Sequence, residues 1–247
     1  MCVDIGYKSM LGPDGLPKYI KGIKINRSAV LEDYNKPHIS AHTNPSCLVI
    51  LNDGKSPYID YLNWGFLLNA KKNITTKYNK LYNARAERIL ENQSIWNQVI
   101  NNRCLVVADG VYEHQRRKEY KLKVPHYITF TSGEPILLPA LFNTTTKTFA
   151  LVTRAGNNFF NQIHNDGPNK NRMPLFLKQE DAEKWISREL TEQEIIKIID
   201  YEIPDSSLTA YTVFSIRAMV PRPDGKEKNE FYSWETTPDM DTQLSLF

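Results

Sequence analysis

Apolar residues fall into short runs rich in β-branched and aromatic side chains, and those at 46–52, 58–66, 103–108, 126–131, 135–142, 149–154 and 208–220 predict strands. Asn52-Asp53-Gly54 is a turn signal after the first run, and Ser132-Gly133-Glu134 predicts a hairpin between its two neighbours. Helical periodicity is rarer. Residues 84–100 set Ile89, Ile95, Trp96 and Val99 near one helical face, with Asn83 as N-cap. Segments 179–190 and 192–201 predict two further amphipathic helices, with Thr191 capping the second. The pattern predicts an α+β fold, a single domain over residues 1–235 with a mixed, barrel-like β core flanked by helices. Residues 236–247 are polar, contain Pro238 and close on a short apolar cluster, which predicts a mobile tail.

Composition adds bounds rather than direction. At 247 residues the chain buries enough surface to fold without staples. No apolar run approaches the ~20 residues that cross a bilayer, and the amino terminus lacks the basic-then-apolar pattern of a secretory signal. A cytosolic protein is expected. The cysteines, Cys2, Cys47 and Cys104, are odd in number and form no C-x-x-C pair. Cys47 and Cys104 sit in apolar runs and read as buried structural thiols. The net charge of +3 is too small to hold nucleic acid by bulk attraction, so a tight hold on DNA needs another source. No P-loop or dinucleotide fingerprint is present. His38 and His42 have the spacing of a zinc pair, but the intervening Glu is missing and Pro37 precedes them, so neither metal nor cofactor is expected.

Four places carry candidate chemistry. Cys2 follows Met1, and removal of Met1 sets a free amine (pKa near ~8) beside a thiol (near ~8.5). An amine condenses with an aldehyde, and a neighbouring thiol then closes a thiazolidine ring. Tyr82-Asn83-Ala84-Arg85-Ala86-Glu87 reads either as a phosphate-binding helix start or as a capped helix with a solvated arginine. In the segment from Arg103 to His114, a strand reaches an Asp109-Gly110 turn and Glu113 opens the next strand. Glu113 is a general acid/base if burial raises its pKa, and an ordinary exposed glutamate otherwise. His164 ends an apolar segment before the polar loop 165–171, as a hydrogen-bonded structural residue or as a proton carrier near neutral pH.

Taken in order, Met1-Cys2, Trp64-Gly65-Phe66, Asn83-Ala84-Arg85-Ala86-Glu87, Ala108-Asp109-Gly110-Val111-Tyr112-Glu113, and Ile163-His164 before Arg172-Met173-Pro174 resemble the SOS response-associated peptidase (SRAP) family. The resemblance runs from Cys2 to about Val220. It implies an α+β domain with a barrel-like core and a groove for single-stranded DNA, in which the residue exposed by loss of Met1 bonds to the aldehyde of an abasic site. By that resemblance Cys2 is nucleophile and ring-closing thiol, and Asn83 positions it and the sugar. Arg85 holds a phosphate, and Glu113 serves acid/base steps and any self-processing of Met1. His164 assists proton transfer on the opened sugar and reversal of the linkage. Trp64 lies near the groove, where an aromatic stacks on a base. AP-lyase activity is implied too.

Three departures stand out. Val3-Asp4 replaces the Gly-Arg common in the family. Asp4 is expected to repel phosphate, so that affinity falls or Lys71, Lys72 or Arg172 substitutes for the lost contact. Residues 165–171 lengthen the usual His-Asp-Arg-Met-Pro, which leaves the reach of Arg172 to DNA open. His114 stands where a tryptophan often follows the glutamate.

The terminal Gln243-Leu244-Ser245-Leu246-Phe247 resembles the pentapeptide that docks bacterial repair proteins on the sliding clamp, a Gln followed by apolar anchors. It implies a bacterial or phage-like setting. The protein is expected to be a monomer, nucleoid-associated when bound to DNA. Two rival readings remain beside the crosslinker: a thiol peptidase using Cys2, and a non-covalent single-stranded-DNA or clamp-binding module.

Overall fold

The structure, a computed structural model, describes residues 2–18, 20, 23–25, 27–28, 34–68, 80–217 and 221–234. Its strands are β1 (Asp4–Tyr7), β2 (Arg27–Ser28), β3 (Lys36–Ser40), β4 (Ser46–Asn52), β5 (Pro57–Trp64), β6 (Asn83–Arg85), β7 (Arg103–Gln115), β8 (Val124–Phe130), β9 (Ile136–Asn143), β10 (Thr148–Ala155), β11 (Arg172–Pro174) and β12 (Leu208–Thr212). Three short helices accompany them: α1 (Asn158–Ile163), α2 (Ala182–Ile186) and α3 (Glu192–Ile199). The strands form one mixed sheet, an α+β arrangement. β4 joins β5 to β7, β5 runs parallel to β10, and β9 links β10 back to β7, so these strands close a ring.

Local chemistry explains the elements that the sequence predicts well. The Asn52 and Asp53 side chains accept the amides of Gly54 and Lys55, turning β4 into the antiparallel β5. Every residue from Cys47 to Leu51 is buried, as a central strand's continuous apolar run requires. Cys47 and Cys104 both lie in the core. Thr191 caps α3 through a reciprocal box with Glu194.

Other expectations give way to the sheet. Residues 84–100 are not a helix: Asn83, Ala84 and Arg85 pair in parallel with Leu151, Val152 and Thr153, and only 3-10 turns at Ala86–Arg88 and Asn97–Val99 follow. Ile89, Trp96 and Val99 are buried as the periodicity demanded, but by turns. Asn83 is therefore no N-cap. The 179–190 helix shrinks to α2 after a 3-10 turn, because the buried Arg103 guanidinium takes the carbonyls of Trp185 and Ser187 at its end. The hairpin at Ser132-Gly133-Glu134 does not pair its two strands; β9 lies on residues 103–108 of β7 and β8 on residues 111–115. The last run is strand only in β12, and residues 218–220 and the 236–247 tail lie outside the described residues. No described helix is long and apolar enough to cross a membrane.

β7 is the other correction, being one continuous strand of 13 residues with no turn at Asp109-Gly110. Gly110 lies opposite Gly6, and the Tyr127 ring packs over both. A Cβ at Gly110 would stand 2.5 Å from Tyr127 Cζ and 2.8 Å from the Ile128 carbonyl oxygen. The glycine is there for space, not for a turn. Gly110→Ala is expected to destabilise the fold by about 1–3 kcal/mol, typical of overpacking. Urea denaturation measures this, and an unchanged midpoint would contradict the packing.

Candidate active site

β1 lies antiparallel to β7 with Ile5 opposite Val111, which draws the residues before β1 alongside Glu113. The Val3 carbonyl accepts the Ala41 amide at 2.7 Å and secures this end of the chain. Cys2 and Glu113 are both buried. Burial pushes the Cys2 thiol well above its ordinary pKa, and the Glu113 carboxylate pushes the same way. The group is a protonated thiol near neutral pH and needs a base. Burial, helped by the charge of Asp4, raises Glu113 to about 7, and its Oε1 has no hydrogen-bond partner among the described residues. A carboxyl group poised near neutrality beside a thiol has the properties of a proton shuttle.

His164 follows α1, whose first turn is capped by Asn157 accepting the Phe160 amide. Its Nδ1 lies 2.8 Å from the Arg172 carbonyl oxygen and 3.7 Å from Glu113 Oε2. Burial lowers the imidazole's pKa, so we assign a neutral ring that donates Nδ1–H to the carbonyl. The longer approach to Glu113 is then a close neighbour relation, not an ion pair.

The remaining candidates gather along β10. On β6, Asn83 buries both side-chain amide atoms without a partner among the described residues, and Arg85 is exposed, with Nη2 3.5 Å from Asn169 Oδ1. A cavity of about 330 Å³ is lined by both, together with Arg88 and Trp96. Arg172 is engaged elsewhere: its guanidinium makes a bidentate pair with Glu87, at 2.5 and 3.0 Å, and donates to the Thr153 carbonyl. In this arrangement it presents no free fork to DNA. Trp64 is a clearer correction. It is fully buried, stacks on Phe149, and donates Nε1–H to the Tyr82 carbonyl at 3.0 Å. It braces the strand that carries Asn83 and Arg85 and offers no face to a base.

Asp4 also departs from expectation. Its carboxylate is 2% exposed, with Oδ1 2.9 Å from His38 Nε2 and Oδ2 2.8 Å from Arg217 Nη2. Burial opposes ionisation, but these bonds overcome it and hold the pKa well below the usual carboxylate range. It is not a bare anion facing the groove. His42 packs edge-on against Tyr82, so the two histidines point to different partners. Burial, then the charge of Arg217, lowers His114 to about 4. His38, Arg217 and Lys123, which pairs with Asp166 at 3.1 Å, are site neighbours that the motifs did not single out. An arginine inside the last apolar run was the one available signal for Arg217. Lys71, Lys72 and the Gln243, Leu244, Leu246 and Phe247 tail lie outside the described residues.

Residues 11–216 match the family described as SOS response associated peptidase (SRAP). The abasic site processing protein YoaM of Bacillus subtilis is 26% identical over 190 residues, covering 73% of this chain and 79% of YoaM. YoqW, an abasic site processing protein of the same organism, is 28% identical over 188 residues, covering 72% and 80%. In fold, the chain is similar to a phage-related protein of Bordetella bronchiseptica, with a TM-score of 0.64 at 23% identity, covering 87% of this chain and 95% of that one.

The raised pKa of Glu113 makes stability depend on pH. Between the ordinary glutamate value and about 7, the folded chain keeps a proton that the unfolded chain has released, so stability falls as pH rises through that window and levels off above it. Glu113→Gln is expected to remove this slope and to exceed the parent at pH 8 by up to about 3 kcal/mol. Denaturant titrations at pH 5 and pH 8 measure it. A variant that follows the parent at both pH values would show that Glu113 titrates normally.

Proposed function

The chain belongs to the SOS response associated peptidase (SRAP) family, and on that premise we propose that it processes abasic sites in single-stranded DNA by a covalent crosslink through Cys2. The observation that carries this reading is the buried Cys2 thiol beside a buried Glu113 poised near neutrality. Loss of Met1, with Glu113 serving any self-processing, frees the Cys2 amine. That amine adds to the aldehyde carbon of the ring-opened sugar, and water leaves to give an imine. The thiol then adds across the C=N bond: sulfur bonds to carbon, the thiol proton passes to nitrogen, and a thiazolidine closes. Glu113 takes the proton from sulfur and returns it to nitrogen. His164, neutral and fixed by the Arg172 carbonyl, assists proton transfer on the opened sugar and the reverse reaction.

DNA is held lightly in this reading. Arg85 meets a backbone phosphate, and the unpartnered Asn83 amide meets the sugar. A covalent bond removes the need for a slow dissociation rate, so the groove has only to align aldehyde and amine. The modest net charge of +3 suits this division of labour.

Incubation with an abasic-site oligonucleotide is expected to yield a species that survives denaturing electrophoresis, and Cys2→Ala is expected to abolish it. Binding without an adduct would identify a non-covalent module. Cleavage of added peptides without an adduct would identify a peptidase.

The tail supports a separate proposal: Gln243, Leu244, Leu246 and Phe247 dock on a bacterial sliding clamp and bring the protein to replication forks. Clamp pull-down is expected to fail when residues 243–247 are deleted, and equal recovery would reject this reading.

A further inference from the structure

We infer that Arg217 is a phosphate-binding residue of the lesion site, anchored in place by Asp4. The inference rests on the reading of the site as one for abasic single-stranded DNA. Asp4 lies two residues after Cys2, and its buried carboxylate grips Nη2 of Arg217 at 2.8 Å on one oxygen and His38 on the other. The Arg217 side chain itself is 56% exposed. A guanidinium has five N–H donors in a planar fork, and this pair occupies one end of it. The other end faces solvent, with no further partner among the described residues. Asp4 thereby holds the cation two residues from Cys2 in the chain, and the charge of Arg217 also acts on Glu113.

Service as counter-ion to Asp4 is the alternative role. That role uses only one end of the guanidinium, whereas a phosphate gains from a cation whose orientation is fixed before it arrives. The other candidate arginines leave that place open. Arg172 is bound bidentately by Glu87, and Arg85 approaches from β6 beside β10. Arg217 instead reaches the site through β1. Two phosphates of one strand would thus be met from different strands of the sheet.

Binding of an undamaged single-stranded oligonucleotide over a range of salt concentrations tests this without the covalent step. Arg217→Ala is expected to lower the slope of log K against log salt by about 0.7, and affinity by about fivefold at 0.1 M salt, the share of one phosphate on a single strand. Arg217→Lys should keep the slope and lose part of the affinity. The Asp4→Asn/Arg217→Ala double variant keeps the net charge of the pair but lacks the guanidinium, so it too should show the reduced slope. A parent slope in either alanine-containing variant would overturn the inference and leave Arg217 as a counter-ion. Adduct formation by the parent protein is scored separately with an abasic-site oligonucleotide. Its failure would sink the functional reading itself, whereas an intact adduct with unaltered slopes removes only the role of Arg217.

Discussion

The pairing of β1 with β7 is the constraint on which the site depends. It places the residues before β1 alongside β7 and so buries Cys2 beside Glu113. That pairing is possible because Gly6 and Gly110 leave room for the Tyr127 ring, which no side chain at either position would permit. Burying a carboxyl group without a full set of partners is unfavourable by about 1–3 kcal/mol, and the rise of Glu113 to about 7 expresses that cost as a proton affinity. The chemistry of the site and the strain on the fold therefore have one origin. A protein selected for stability alone would place an apolar residue there.

Much of this was legible in the order of residues, and the failures have a common cause. The β4–β5 turn and the α3 cap were readable because side chains three or fewer positions away satisfy the backbone. Residues 84–100 misled because burial of Ile89, Trp96 and Val99 at helix-like spacing is equally served by turns, and an open position beside β10 captured Asn83–Arg85. Asp109-Gly110 has the composition of a turn, but its glycine answers to a tyrosine 17 positions away in the chain. Trp64 was placed in the right neighbourhood on the wrong side of the strand. Cys2, Glu113 and His164 were singled out by their residue chemistry and given roles by resemblance, while their burial and proximity came only from the sheet.

Charge in this molecule is local. Arg172 is paired with Glu87, Arg217 with Asp4, Arg222 with Asp224, and Arg103 with three backbone carbonyls. Each of these guanidinium groups is oriented by its partner, and the net charge of +3 leaves little long-range field. The same economy explains how Asp4 is accommodated near Cys2: its carboxylate is buried and turned into a handle for an exposed cation.

The unsatisfied atoms point the same way. Among the described residues, Asn83 finds no partner for either end of its amide and Glu113 none for one carboxylate oxygen, all buried. Water and evolution both tend to remove such groups when they serve nothing. Here Asn83 lines an open cavity, and Glu113 stands beside the Cys2 thiol. In the proposed reaction an opened sugar, which brings hydroxyls and an aldehyde oxygen, would supply the missing partners, so that binding would relieve a cost already present in the free protein. Affinity gained in that way is confined to ligands with polar atoms in the right places. On the proposed function it would discriminate an opened sugar from an intact nucleotide without requiring a larger or more basic groove.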